Sequence, residues 1–291
     1  MSNLILVLEQ APWFFYSLVL LLGLFVGSFL NVVIYRLPKM MELSWQQDYQ
    51  AYFQPDQAAA AQPRFNLAVP RSACPSCQTP IAAWDNIPVL SWLWLKGRCR
   101  HCGTGISARY PLVETLTALL SVLLAWRFGP GLTTLVYLLV LWAIIALSFI
   151  DLDTMLLPDQ ITLPLLWLAL LFSLTPAGPS PADAILGAAA GYLSLWSVYW
   201  AFKLLTGKEG MGYGDFKLLA VFGALLGWQQ LPLIILLSSA VGAVLGSLLL
   251  LLQGKGKSTP IPFGPYIAIA GLIAMLWGNA LTQWYLGVLA L

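Results

Sequence analysis

Long apolar runs separated by short polar segments extend along almost the whole chain. Eight of them are long enough, or nearly so, to cross a bilayer as helices of about 20 residues. They lie at about residues 13–35, 111–128, 131–150, 158–176, 182–204, 215–229, 231–252 and 261–282, and the sixth is the shortest. This pattern predicts an all-α polytopic membrane protein with about eight transmembrane helices.

The composition of the 291-residue chain agrees with this prediction. Hydrophobic residues make up 59% of it, charged residues only 9%, and the mean hydropathy is +0.81. Soluble domains carry about 25% charged residues. The formal net charge of +2 gives no indication of a nucleic-acid partner. Membrane lipid is therefore the partner that the composition itself predicts.

The distribution of Lys and Arg predicts the orientation of these helices. If the amino terminus lies outside, 13 of the 14 basic residues fall in inner segments, and only Arg127 lies outside. Short segments rich in Lys and Arg stay in the cytoplasm. We therefore expect the polar segment between the first two spans to be cytoplasmic.

That polar segment divides the chain into three predicted parts. Residues 1–36 form a first transmembrane helix, residues 37–110 a cytoplasmic loop domain, and residues 111–291 a membrane core. The first run has no basic region before it and no small-residue cleavage site after it, which favours a retained span over a signal peptide. Residues 41–66 predict a short helix and a flexible lead-in, and no internal repeat is evident.

The loop domain holds all four cysteines as two C-x-x-C pairs, Cys74/Cys77 and Cys99/Cys102, with 21 residues between them. Two such turns can complete a tetrahedral Zn²⁺ site. Disulfides are the alternative, which a reducing cytoplasm disfavours. His101 could replace one thiolate, but four thiols suffice without it. A closed four-cysteine site leaves no position for substrate, so we expect the zinc to be structural.

Several carboxylates near span edges have an ordinary explanation as helix-start acids. Asp159 follows Pro158, Asp183 begins the fifth span, and Glu114 lies near the start of the second. The positive end of a helix dipole favours an acid at each position. Glu114 is expected on the same side as the zinc loop, so a binding role stays open for it.

Asp151 and Asp215 are different. Asp151 lies at the carboxyl end of the third span, where the dipole disfavours an anion. Asp215 taken alone is a good helix N-cap. Two spans separate the two acids, however, so both should emerge on the same face of the membrane. Two facing carboxylates can share one proton and activate water against a peptide bond, as in aspartic proteases.

Three neighbours of Asp215 are candidate substrate contacts. Gly212 and Gly214 would let an extended substrate approach the backbone closely, because no side chain projects there. Lys217 lies in the first helical turn, where the dipole disfavours a cation. Either it snorkels to the interface, or its charge stabilises Asp215 or the substrate backbone.

Several motifs together resemble the bacterial type IV prepilin peptidases, membrane aspartic peptidases of the G-x-G-D class. The resemblance rests on "GSFLNVVIYRLP" (27–38), the two C-x-x-C pairs, "IDLDTMLLPD" (150–159) and "GYGDFKLLA" (212–220), in this order. It matches Asp151 and Asp215 to the catalytic aspartates of the family, and the four cysteines to its zinc ligands.

This resemblance implies a specific activity and location. The enzyme would remove the basic leader of type IV prepilins and type II secretion pseudopilins, as a multi-pass protein of the bacterial inner membrane with its active site facing the cytoplasm. It would then N-methylate the new terminus with S-adenosylmethionine. The sequence lacks the alternating strands and helices of a Rossmann-like unit, so it does not itself indicate where the methyl donor binds. If the activity is present, we expect that site in the zinc loop or at its junctions with the first two spans.

Two alternative functions belong to other classes. A transporter or channel would also have acids in its membrane segments, but near the bilayer midplane, whereas these lie at one edge. A methyltransferase without protease activity would leave the paired aspartates unexplained.

Overall fold

The computed structural model describes residues 2–54, 64–253 and 261–289. The chain forms two compact units, Met1–Trp126 and Arg127–Leu291. This division reflects how the backbone packs, whereas the three parts predicted from the sequence reflect the polarity of its segments. The division into three parts therefore stays a prediction. Helices provide the regular structure of both units, which confirms the all-α fold class.

The first unit contains one helix far longer than expected. Its helices are α1 (Ser2–Gln10), α2 (Pro12–Phe53), α3 (Leu90–Trp94) and α4 (Arg109–Phe128). The 42 residues of α2 would span about 63 Å, roughly twice the hydrocarbon thickness of a bilayer. The helix continues through Pro38 into the stretch for which only a short helix was predicted. Most of the predicted flexible lead-in falls on residues 55–63, outside the described residues.

Two glycines allow α2 and α4 to pack closely. A Cβ atom added at Gly23 would lie 2.7 Å from the Cα atom of Ala118, and one added at Gly27 would lie 2.6 Å from the Cα atom of Glu114. The G-x-x-x-G spacing puts both glycines on one face of α2. Backbones of membrane helices approach in this way where small residues meet.

The second unit is a bundle of six helices among the described residues, joined by short turns. They are α5 (Leu132–Thr154), α6 (Asp159–Phe172), α7 (Pro181–Thr206), α8 (Tyr213–Leu226), α9 (Leu231–Gln253) and α10 (Gly264–Leu289). From Phe216 to Leu225 most of α8 is buried, with Lys217 the clear exception. A helix that is apolar all round belongs in a core.

Each of the eight predicted apolar runs forms a helix, but two of these helices are short. Six described helices are long and apolar enough to cross a membrane. By contrast, α6 and α8 have 14 residues each, which gives a length of about 21 Å against a hydrocarbon core of about 30 Å. Because α8 packs against α6, α7 and α10, it is covered by protein along much of its length.

Contacts at the two ends of the second unit show how its helices run. At one end, the side chain of Asp151 near the end of α5 meets Gly264 at the start of α10. At the other end, Asp183 at the start of α7 accepts hydrogen bonds from Trp228 and Gln229, just after α8. Helix α8 therefore runs from one end of the bundle to the other. Because Lys217 near the start of α8 also bonds to Asp159, the first residue of α6, α5 ends where α6, α8 and α10 begin.

Candidate functional site

Asp151 is a buried acid whose side chain is held by the first residue of α10. The sequence did not predict this contact. Asp151 lies in the last turn of α5 and is 5% exposed. The backbone N–H of Gly264 donates a hydrogen bond of 3.0 Å to its Oδ2 atom. Met155 ends α5 in a left-handed conformation, and its N–H bonds to the carbonyl of Asp151. Both the backbone and the side chain of Asp151 are thus fixed.

Asp215 is buried as well, and part of its carboxylate has no donor. It is the third residue of α8 and is 6% exposed. The N-cap of α8 is Gly212, so capping does not account for Asp215. Its Oδ1 atom is buried and forms no hydrogen bond with any residue that the structure describes. An unsatisfied buried carboxylate oxygen is costly, and an acid in a membrane core marks a candidate functional site.

The two aspartates belong to one cluster. Leu157 packs against the start of α8, which carries Asp215, and against the start of α10, which donates to Asp151. An added Cβ atom at Gly214 would lie 2.5 Å from the Cβ atom of Leu157, and one at Gly264 would lie 3.1 Å from its Cδ2 atom. Two carboxylates in one buried cluster can share one proton.

The two candidate substrate glycines differ in their surroundings. Leu157 fills the space beside Gly214, so close packing explains why a side chain is absent there. A Cβ atom at Gly212 would instead lie 3.8 Å from Asp215 Oδ2, in ordinary contact. Gly212 is the more open of the two positions beside the acid. That either glycine contacts substrate stays a prediction.

Lys217 forms an ion pair that the sequence did not suggest. Its Nζ atom lies 2.6 Å and 2.8 Å from the two carboxylate oxygens of Asp159, the first residue of α6. The side chains are 28% and 52% exposed, respectively. Asp159 has the helix-start position expected of it, and in addition binds α8 to α6. Substrate contact by Lys217 stays a prediction.

The four cysteines of the first unit converge as predicted. Their sulfur atoms all lie within 4.8 Å of one another, and all four are free thiols. Cys74 and Cys102 are 3.7 Å apart, and Cys77 and Cys99 are 4.0 Å apart. Zn–S bonds of about 2.3 Å in a tetrahedron require sulfur separations of about 3.8 Å. The donor set therefore fits Zn²⁺, and His101 is not among the groups that meet there.

The two cysteine pairs lie in matching turns. The N–H of Cys74 bonds to the carbonyl of Thr79, and the N–H of Cys99 bonds to that of Thr104. The sequence contains the corresponding repeat, C-x-x-C-x-T, which sequence analysis missed because it is only six residues long.

Each threonine hydroxyl also contacts the second thiol of its turn. The distance is 3.3 Å from Thr79 to Cys77 and from Thr104 to Cys102. These hydrogen bonds lower the pKa of Cys77, and they lower the pKa of Cys102 to about 6. The second thiol of each turn therefore favours the thiolate form that binds metal.

Glu114 near the start of α4 and Arg36 in the middle of α2 hold the loop domain to these helices. The Oε2 atom of Glu114 accepts a hydrogen bond of 2.7 Å from the N–H of Val89, which has a positive φ of 60°. Arg36 donates to the carbonyls of Asn66 and Pro70 at 2.9 Å and 2.6 Å. Both charged side chains are buried. Glu114 thus has an internal partner beyond the dipole of its helix.

Comparisons with known proteins find two family models that match the chain. A model described as Bacterial Peptidase A24 N-terminal domain matches residues 21–128, and one described as Type IV leader peptidase family matches residues 137–247. No solved structure matches the chain.

Three similar relatives each carry the name prepilin leader peptidase/N-methyltransferase. The protein of Aeromonas hydrophila is 63% identical over 97% of this chain and 98% of its own length. That of Aeromonas salmonicida (strain A449) is 62% identical over 98% and 99%. That of Pseudomonas aeruginosa is 54% identical over 96% of each. With two matching family models and relatives of this identity over nearly its full length, the chain belongs to the type IV leader peptidase family.

Proposed function

We propose that this protein removes the basic leader from type IV prepilins and type II secretion pseudopilins, with Asp151 and Asp215 as its catalytic pair. One observation carries the proposal: Asp215 presents a buried carboxylate oxygen with no donor among the described residues, beside a second buried acid. Within a leader peptidase family, that oxygen is the natural partner for an attacking water.

The pair can hydrolyse a peptide bond without further groups. Because close carboxylates do not ionise together readily, they hold one proton between them. The ionised acid takes a proton from water, whose oxygen bonds to the scissile carbonyl carbon, while the other acid protonates the carbonyl oxygen. When the C–N bond breaks, the acid that holds the proton gives it to the leaving amine, and the other acid takes a proton from a hydroxyl of the tetrahedral intermediate as the carbonyl forms again. The pair is then ready for another cycle.

The position of the aspartates suits a substrate anchored in the membrane. A prepilin keeps its basic leader in the cytoplasm and its apolar segment in the bilayer, so its scissile bond lies at the interface. Asp151 and Asp215 lie where helices end and begin, and the basic residues predict that this end faces the cytoplasm. We therefore propose the cytoplasmic face of the inner membrane as the site of cleavage.

The rival class, a transporter, has less support. Among the described residues of the second unit, Asp151 and Asp215 are the buried acids, and both lie at one end of the bundle. An ion pathway needs polar groups along the bilayer depth. The buried acids of this unit do not form such a series.

We also propose that the four cysteines bind one structural Zn²⁺ and that the protein N-methylates the exposed terminus. The zinc would supply folding free energy to a loop with little core. S-adenosylmethionine would supply the methyl group. We assign no residue to its binding, and the loop of the first unit is the place to search for it.

Cleavage by the purified protein in detergent tests the peptidase proposal. We expect mass spectrometry of a synthetic prepilin to show loss of the leader, and a gain of one methyl group when the methyl donor is added. A pseudopilin peptide assayed in parallel tests the second substrate class. Asp151→Asn and Asp215→Asn should each lower the cleavage rate by about 100-fold or more, because an amide cannot exchange the proton.

Asp183→Asn is the matched control, since Asp183 lies at the opposite end of the bundle. It should cleave like the parent. Zinc content should be the same in all three variants. Cleavage by Asp215→Asn at a rate near that of the parent would refute the aspartic mechanism.

A further inference from the structure

The start of α10 supplies a backbone donor to the aspartate pair. Gly264 is the first residue of this 26-residue helix. The first N–H groups of a helix have no partner within it. Here the N–H of Gly264 donates to Oδ2 of Asp151, 113 residues earlier in the chain, and the bond is buried.

The position tolerates no side chain. A Cβ atom at residue 264 would lie 2.8 Å from Asp151 Oδ2, a distance that real Cβ atoms essentially never show. It would also lie 3.1 Å from Cδ2 of Leu157, which itself packs against Gly214 at the start of α8. Any residue other than glycine must displace the Asp151 carboxylate or move α10.

This contact makes the two acids unequal. An amide N–H can only donate, so Oδ2 of Asp151 must accept. A protonated oxygen accepts less well, so the proton of the pair favours Asp151 Oδ1 or Asp215. Asp215 has no comparable donor on its Oδ1 atom within the described part of the chain. One acid is fixed by the protein, and the other keeps an oxygen available for water.

We propose that Gly264 is a positioning residue of the peptidase: its N–H fixes Oδ2 of Asp151 and leaves Oδ1 as the oxygen that exchanges the proton. The inference rests on the proposed function and extends it to α10, which lies beyond both aspartate motifs in the sequence. Gly264 acts through Asp151 and does not itself touch the reacting atoms.

Gly264→Ala tests this role through the separation of kcat from KM. Displacement of a catalytic group by about 1 Å costs about 100-fold in rate, so we expect kcat for prepilin cleavage to fall about 10- to 100-fold. KM should stay within about twofold, because the leader and apolar segment of the substrate do not bind through the Asp151 carboxylate.

Two glycines on the same helix serve as controls. At Gly287 an added Cβ atom meets no atom within 4 Å, so Gly287→Ala should match the parent. At Gly271 it would lie 2.1 Å from Cζ of Phe222, so Gly271→Ala disturbs the packing of α10 without touching Asp151. That variant should lose thermal stability and retain more of its kcat than Gly264→Ala.

The outcomes separate this inference from the proposed function. Parental kcat in Gly264→Ala would overturn the inference, and so would an equal loss of kcat in Gly271→Ala. A parent protein that fails to cleave prepilin, or an Asp215→Asn variant that cleaves it, would instead overturn the proposed function and this inference with it. Loss of kcat confined to Gly264→Ala would support both.

Discussion

Lys217 and Asp159 connect the first turns of α8 and α6 beside the aspartate pair. Asp159 lies two residues after Leu157, and Lys217 lies two residues after Asp215. Because the Asp159 side chain is 52% exposed, water screens the pair, and its contribution to stability is less than about 1 kcal/mol. Its structural effect is to hold the start of α8 against the loop that carries Leu157.

We therefore expect Lys217→Met to slow prepilin cleavage by about two- to tenfold while the free energy of unfolding changes little. Asp159→Asn should have a similar effect, and the double variant should be no worse than either single one, because all three break the same pair. Lys208→Met in the preceding loop is the control. Additive effects in the double variant, or parental kinetics in Lys217→Met, would contradict this role.

At the scale of elements, the two C-x-x-C-x-T turns form a site from parts that cannot bind metal alone. Each turn provides two thiols, and residues Gln78 and Gly103 both adopt a positive φ after the second cysteine. The turns come together only when the intervening 21 residues fold between them. Metal binding and folding of this loop should therefore be coupled.

We expect one zinc per chain by elemental analysis, and loss of that zinc when Cys74, Cys77, Cys99 or Cys102 is replaced by Ser. The reason is that a three-thiolate site loses affinity. His101→Ala, which alters a neighbour outside the cluster, should retain the metal. Protein without zinc, or a thiol titration that finds disulfides, would reject the site.

Glu114 extends this coupling to a membrane helix. Replacement by Ala leaves the N–H of Val89 without its acceptor, and we expect a loss of about 1–3 kcal/mol in the free energy of unfolding of the first unit. Glu114→Gln keeps an acceptor oxygen and should lose less. Glu42→Ala, at an exposed position on α2, provides the control in a thermal unfolding assay. Equal stability of Glu114→Ala and Glu42→Ala would show that the hydrogen bond is unimportant.

At the scale of the whole molecule, the second unit places four helix ends at one end of the bundle. The end of α5 and the starts of α6, α8 and α10 meet there, around Asp151 and Asp215. Short α8 can occupy the interior because neighbouring helices cover it. The basic residues predict which end faces the cytoplasm.

Reporter insertions on either side of α7 test this orientation. Alkaline phosphatase inserted after Gly178 should be active, since that turn is expected outside, and the same insertion after Gly207 should be inactive. A fluorescent protein that folds only in the cytoplasm should give the reverse result. Phosphatase activity after Gly207 would reverse the proposed topology.

Much of this architecture follows from local sequence. An apolar run of sufficient length forms a helix in a membrane because every backbone group must be satisfied within it, so all eight runs could be located. The C-x-x-C spacing and the even number of spans between Asp151 and Asp215 likewise depend only on position along the chain. The extension of α2 to Phe53 was missed, since its polar residues carry no membrane signal.

The sequence by itself therefore predicted the apolar helices, the convergence of the four cysteines and the placement of the two acids at one end of the bundle. Only the tertiary structure decided which groups surround that pair. Gly264 and Asp151 are 113 residues apart, and Lys217 and Asp159 are 58 residues apart. No periodicity or capping rule relates residues so distant. Their contacts arise because packed helices leave particular backbone and side-chain groups facing one another, and that depends on the whole bundle.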